Sequence, residues 1–258
     1  MESLVIYQVE QRIAEITINR PDKRNALNPT LVAELTAAFL SAQSDENVKI
    51  VVLKANGDVF SAGADLNYMQ QLQHFSYEEN IQDSTTLKEL FETIRTLSKV
   101  VVAQVEGHAI AGGCGLATIC DIIFAVPEAK FGYTEVKLGF VPAIVSCYLV
   151  QKTGETLAKK LLLSGDLFTA EEALKYNLIT YVTKSEEINQ IVREFAVNLS
   201  DNTSGNSLAL TKQLINQTSN TWLDSCLNNA IKVNAKTRES DDFKKGISSF
   251  LAKEKIKW

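Results

Sequence analysis

The chain is poor in cysteine, histidine and proline, and the scarcity of the first two already excludes some chemistry. Its four cysteines, Cys114, Cys120, Cys147 and Cys226, form no CxxC pair and no regular framework. Each sits among apolar residues, which predicts buried, reduced thiols. The two histidines, His74 and His108, have no cysteine or carboxylate cluster at ligand spacing, so no metal site is expected. Basic charge is not in excess: 26 Lys and Arg against 31 Asp and Glu leave a formal net charge of -5. A phosphate backbone is met by a basic face, so no nucleic-acid partner is expected. Long apolar runs are missing too. The most apolar window, "VVVAQVEGHAIAGG", is broken by Gln104, Glu106 and His108, and no membrane span is expected. The opening "MESLVIYQVEQ" lacks the basic stretch followed by an apolar one that marks a secretory leader. These absences predict a soluble, cytoplasmic protein.

What is present is enough apolar residue, 45% of 258, for a sizeable core. "LVIYQVE" and "RIAEITIN" read as a hairpin, with Ala14, Ile16 and Ile18 on one face and Glu15 and Thr17 on the other. "NRPDKRNALNP" is a loop ending in Asn28-Pro29, an N-cap followed by proline at the first helical position. Leu31, Leu35 and Phe39 then recur at helical spacing. "KIVVLKA" and "VVVAQVEG" suit strands covered on both faces. Between them, "SYEENIQDSTTLKELFETIRTLS" is a long amphipathic helix with Leu87, Phe91, Ile94 and Leu97 on its buried stripe. Strands alternating with helices predict an α/β fold. From about residue 185 only helical patterns remain. This splits the chain into a core, 1–184, and a helical C-terminal region, 185–258, too thin to form a core alone.

Three stretches are candidates for chemistry. "FSAGADL" (60–66) is a small-residue turn leading to a helix. It either exposes backbone N–H groups or is an ordinary turn with Asp65 as a cap. "HAIAGGCGLATICDI" (108–122) places Gly112, Gly113 and Gly115 where a helix begins. The glycines serve either close helix-on-strand packing or a backbone that binds negative charge. Their spacing matches neither a dinucleotide fingerprint nor a phosphate loop. "FGYTEVKLGFVPA" (131–143) holds Glu135 in a markedly apolar neighbourhood. Burial there would raise its pKa toward that of a general acid or base; the alternative is a solvated loop glutamate.

In their order and separation, "NRPDKRNAL", "FSAGADL", "AIAGGCGLATICDI" and "FGYTEVKLGFVPA" resemble the signature blocks of the enoyl-CoA hydratase/isomerase (crotonase) family. The resemblance spans essentially the whole chain. It implies a spiral of ββα units with a helical C-terminal region that builds homotrimers, often paired into hexamers. It implies an acyl-CoA thioester as substrate, with no other cofactor. The backbone N–H groups of Ala64 and Gly112 would polarise the thioester oxygen, and Glu135 would handle the proton. For CoA it assigns Arg24 to phosphate, Ala26 to the pantetheine path and Ala62 to adenine. Phe250 and Lys253 in "GISSFLAKEK" would reach a neighbouring subunit's nucleotide. Lys244, Lys245, Lys253, Lys255 and Lys257 make this tail basic. Asp65, Leu66 and Tyr68 would belong to the substrate site.

One position departs from the pattern. Hydratases of the family usually carry a second glutamate where this chain has Gly115. Three explanations follow. Glu135 acts alone; or the missing side chain makes room for a branched or carboxylated acyl group; or the reaction is isomerisation or decarboxylation. A non-catalytic acyl-CoA-binding protein is a further alternative. "EVKLGFVPAIVSCYLV" resembles a subgroup associated with 3-methylglutaconyl-CoA, which favours a hydratase of that kind, with substrate bulk accommodated at Gly115.

Overall fold

Strand pairs succeeded by helices wind this chain into two sheets. The computed structural model describes residues 3–218, 220–256 and 258, without side chains at 220 and 221. The strands are β1 (Val5–Glu10), β2 (Ile13–Ile18), β3 (Ile50–Ala55), β4 (Val59–Ser61), β5 (Val100–Val105), β6 (His108–Ile110), β7 (Ile122–Ala125), β8 (Lys130–Gly132), β9 (Phe168–Thr169) and β10 (Tyr181–Val182). The helices are α1 (Pro29–Ser44), α2 (Leu66–Leu72), α3 (Tyr77–Thr96), α4 (Gly112–Thr118), α5 (Ala143–Ser164), α6 (Ala170–Lys175), α7 (Ile188–Asn202), α8 (Gly205–Gln217), α9 (Asn220–Arg238) and α10 (Asp241–Leu251).

The larger sheet runs β1-β2-β3-β5-β7-β10 and the smaller β4-β6-β8-β9. Among the described residues only β1–β2 and β8–β9 pair antiparallel. Thus β3, β5 and β7 lie in one sheet, while β4, β6 and β8, each following directly, lie in the other. Helices come after each pair, which is the expected ββα spiral. The hairpin, the covered strands β3 and β5, and the Asn28 cap all stand as read; Asn28 Oδ1 accepts from the Leu31 N–H at 2.9 Å. Thr17 is buried along with the apolar face of β2, because α1 and α7 cover both sides of that strand.

The C-terminal helices pack back on this same chain. α7 lies against β2, β3, β5 and β7; α9 lies against α3 and α5; α10 lies against α2 and the short 3-10 helix Glu135–Leu138. One apolar cluster runs from Val5 through Ile188, Val192 and Leu227. α9 and α5 are also joined covalently: Cys147 and Cys226 form a disulfide with Cα atoms 6.0 Å apart. This corrects the expectation that all four thiols are reduced. The two cysteines are 79 residues apart, and only the packing of α5 on α9 makes them neighbours. Cys114 and Cys120 are free and buried as expected, and burial pushes both thiols up to about 12. Among the described residues no helix is long and apolar enough to cross a membrane, and no cluster of His, Cys, Asp or Glu is arranged to hold a metal.

Candidate active site

The site begins with the loop between β2 and α1. Arg24 and Asn25 both adopt left-handed backbone, with φ of 52° and 53°. Asn25 holds that shape through its side chain: Nδ2 donates to the carbonyls of Asn56 (2.8 Å) and Val59 (2.7 Å), and Oδ1 accepts from the Arg20 N–H (2.9 Å). The loop then clamps the "SAGAD" turn. Leu27 N–H donates to the Gly63 carbonyl at 2.7 Å, and Asp65 N–H donates to the Leu27 carbonyl at 2.8 Å. Ala64 lies between those two groups, so its own N–H faces the other way. No acceptor for it exists among the described residues.

Gly63 brings this turn against the glycine cluster. Its φ of +85° suits glycine, and a Cβ there would lie 2.9 Å from Ala111 Cβ and 3.0 Å from the Ile110 carbonyl. Ala111 itself has φ 51° and ψ -125°, a sparsely populated conformation, just before α4 opens at Gly112. The Gly112 N–H has no acceptor among the described residues either. Gly113 is off the cavity wall and packs closely, since a Cβ would meet the Ser61 carbonyl at 2.5 Å.

Ala64, Gly112 and Glu135 line one cavity of about 1010 Å³. Glu135 opens the 3-10 helix after β8 and is 8% exposed. Its Oε2 is buried without a hydrogen-bond partner, and among the described residues no cation pairs with it. Burial raises its pKa from 4.5 to about 7, opposed only in part by its own backbone N–H. The solvated-loop alternative is thereby excluded. Two free N–H donors and a carboxyl that titrates near neutrality can stabilise a developing oxyanion and move a proton beside it.

Other expected residues sort into lining and supporting ones. Arg24, Ala62, Leu66, Tyr68 and Phe250 line the cavity. Phe250 faces this chain's own cavity. Lys253 borders a smaller hollow beside it, together with Leu66 and Phe250. Lys257 lies outside the described residues. Ala26 and Asp65 are buried and off the cavity wall. The Ala26 carbonyl accepts from Arg20 Nη1 at 2.9 Å, and the same Nη1 pairs with Asp65 Oδ2 at 2.6 Å. Asp65 also accepts from the N–H groups of Asn67 and Tyr68 as the N-cap of α2. Burial alone would raise its pKa, but Arg20 and these amides outweigh it and hold the carboxyl below its usual range. A lowered folded-state pKa means stability that is present above the unfolded carboxyl's pKa and lost as pH falls through the folded one. Asp65→Ala is expected to lower stability by about 1–2 kcal/mol at pH 7, and by less at pH 3, as read by urea melts.

Gly115 corrects the expected substrate room. It does not line the cavity. A Cβ there would fall 2.4 Å from Val145 Cγ1 and 3.1 Å from Phe91. The space of the missing side chain is filled by Val145, whose own side chain is part of the cavity wall. The sequence also left unmarked a polar group on that wall. Tyr68 hydroxyl donates to Asp83 Oδ1, and Asp83 Oδ2 pairs with Arg238 Nη2 at 2.7 Å. Burial and the neighbouring Asp83 carboxylate keep the Tyr68 phenol protonated. Asn234 stands one turn before Arg238 on α9; an i, i+4 polar pair on an otherwise apolar helix face is the signal that marks it.

These features define an α/β spiral protein with a cavity that joins free backbone donors to the buried carboxyl of Glu135. Comparison with known proteins gives the family. The chain belongs to the enoyl-CoA hydratase/isomerase family, whose profile matches residues 8–258. It is 39% identical to a putative enoyl-CoA hydratase of Thermus thermophilus, over 95% of this chain and 97% of that protein. It is 31% identical to the 2,3-dehydroadipyl-CoA hydratase of Escherichia coli, over 98% of this chain and 97% of the relative. The crystal structure of a putative enoyl-CoA hydratase/isomerase (crotonase) from Legionella pneumophila superposes with a TM-score of 0.81 at 36% identity, covering 98% of both chains.

Proposed function

We propose that the protein hydrates an enoyl-CoA thioester with Glu135 as its only acid–base group. The observation that carries this reading is the buried carboxyl of Glu135, poised at about 7, in one cavity with the free N–H groups of Ala64 and Gly112. The thioester oxygen accepts from both N–H groups. Ionised Glu135 takes a proton from water as the water oxygen bonds to Cβ, and the electron pair of the double bond moves onto the thioester oxygen. The enolate is held by the two donors. Glu135 then returns the proton to Cα, so that one water is added and the carboxylate is restored. Arg24, Ala62, Leu66 and Phe250, which line the same cavity, are the residues we propose to meet CoA.

For the acyl group we favour a carboxylated enoyl chain over a branched one. Val145 fills the room that a branched or carboxylated group was expected to use at Gly115, whereas the polar group around Arg238 lies elsewhere on the cavity wall and suits a carboxylate. The Escherichia coli relative's name, 2,3-dehydroadipyl-CoA hydratase, agrees with a carboxylated substrate. Isomerisation of the double bond is the second reading, because a lone carboxyl can move a proton between two carbons. Loss of enoyl absorbance with formation of the 3-hydroxyacyl product supports hydration; a shifted double bond without added water sinks it. Assembly into homotrimers or hexamers is proposed from the exposed Leu210, Leu214 and Ile215 on α8 and Trp222 and Val233 on α9. A monomer by light scattering would refute it.

A further inference from the structure

We propose that Asn234 and Arg238 form a subsite for a carboxyl oxygen at the far end of the acyl chain. This rests on the hydratase reading above and names the residues that choose the substrate.

The cavity has an exposed rim and a buried interior. Leu66 and Phe250, at the rim, are 39% and 46% exposed, whereas Asn234 and Arg238 are 5% and 4% exposed. With CoA held at the rim and the thioester at Ala64 and Gly112, the acyl chain is the part that enters the interior. Most of the interior wall is apolar, including Met69, Leu72, Ile144 and Val145. Into this wall α9 sets two side chains with unused donors. The Ser84 hydroxyl donates to Asn234 Oδ1 at 3.3 Å, which orients the amide and leaves its NH₂ without an acceptor among the described residues. Arg238 Nη1 donates to Asn80 Oδ1 at 3.0 Å and Nη2 pairs with Asp83, yet Nε is buried with no partner. The guanidinium is further fixed over the Phe140 ring, 5.7 Å from its centroid. A buried donor left unpaired is unfavourable, so a ligand oxygen that satisfies it is selected.

Asp83 already neutralises Arg238, so this is a set of oriented donors rather than a bare cation. A terminal carboxylate is recognised by its oxygen acceptors, and its ester keeps one such acceptor without the charge. An alkyl end supplies none.

The test compares 2,3-dehydroadipyl-CoA, its methyl ester and trans-2-hexenoyl-CoA, which share a six-carbon acyl chain. Asn234→Asp keeps the acceptor used by Ser84 and replaces the NH₂ donor with an acceptor. Arg238→Lys keeps a cation against Asp83 and removes Nε–H. Each is expected to lower the ratio of kcat/KM for dehydroadipyl-CoA over hexenoyl-CoA by about tenfold or more. The ester shows whether charge or the oxygen acceptor is read: a smaller fall for it points to charge, an equal fall to the acceptor. An unchanged ratio in a folded Asn234→Asp protein, or equal losses on all three thioesters, overturns the subsite. Should Asn234→Asp not fold, the ratio in Arg238→Lys decides. Failure of the unaltered protein to hydrate any of the three overturns the hydratase reading instead.

Discussion

Glu135→Gln is expected to lower kcat by about 10²–10⁴-fold while CoA thioester still binds. The glutamine fills the same buried place and keeps the cavity shape, but it neither takes a proton from water nor returns one to carbon. No second carboxyl stands at Gly115 to share the work, so the loss should lie at the upper end of that range. The same group sets the pH profile. With a carboxyl poised at about 7 acting first as a base, kcat/KM should rise with pH through about 7 and then level. The stability consequence has the opposite sense. A carboxyl whose folded pKa is raised contributes stability fully present below the unfolded value of 4.5 and lost as pH rises through about 7. Relative to the native protein, Glu135→Gln should therefore gain about 3 kcal/mol between pH 4 and pH 9, read by urea melts at both pH values. Full activity in Glu135→Gln would remove the carboxyl from the chemistry altogether.

Gly115→Glu is expected to destabilise the protein rather than give it a second catalytic acid. The first added atom already meets Val145 Cγ1 at 2.4 Å and the Phe91 ring at 3.1 Å. Overpacking of this kind costs about 1–3 kcal/mol, and a carboxyl buried without a partner adds to that. A total near 3 kcal/mol corresponds to a fall in Tm of roughly 6–12 °C. Because Gly115 is not on the cavity wall, kcat/KM for crotonyl-CoA and for a branched enoyl-CoA should fall together. A selective loss on the branched substrate would restore the idea that Gly115 makes room. Val145→Gly removes the obstructing atoms, so Gly115→Ala combined with Val145→Gly should be more stable than the two separate changes predict. The coupling in that double-mutant cycle measures the contact directly.

Sequence periodicity made much of the scaffold legible, and local chemistry explains why. Alternation in "RIAEITIN", the Asn28-Pro29 cap and the stripe through Leu87, Phe91 and Ile94 depend on neighbours a few residues away. α5 carries a weaker local signal, because Gly154 adopts φ 76° and ψ 166° within it and breaks its helical period. The resemblance of the signature blocks to the crotonase family likewise implied one site for Ala64, Gly112 and Glu135, and all three line one cavity.

What only the tertiary structure decided are relations between distant segments. Glu135 is named by its motif, but its poise near 7 comes from burial by elements far away in the chain, and no string of residues records that. Gly113 and Gly112 look alike in sequence; one packs on Ser61 away from the cavity and the other lines it. Cys147 and Cys226 meet because α9 lies on α5. Gly115 is the sharpest case: the sequence fixes the absence of a carboxyl there, while Val145, thirty residues on, decides that the absence leaves no room. The donors of Asn234 and Arg238 join the cavity for the same reason, because a helix formed late in the chain closes over a pocket begun by the first loop.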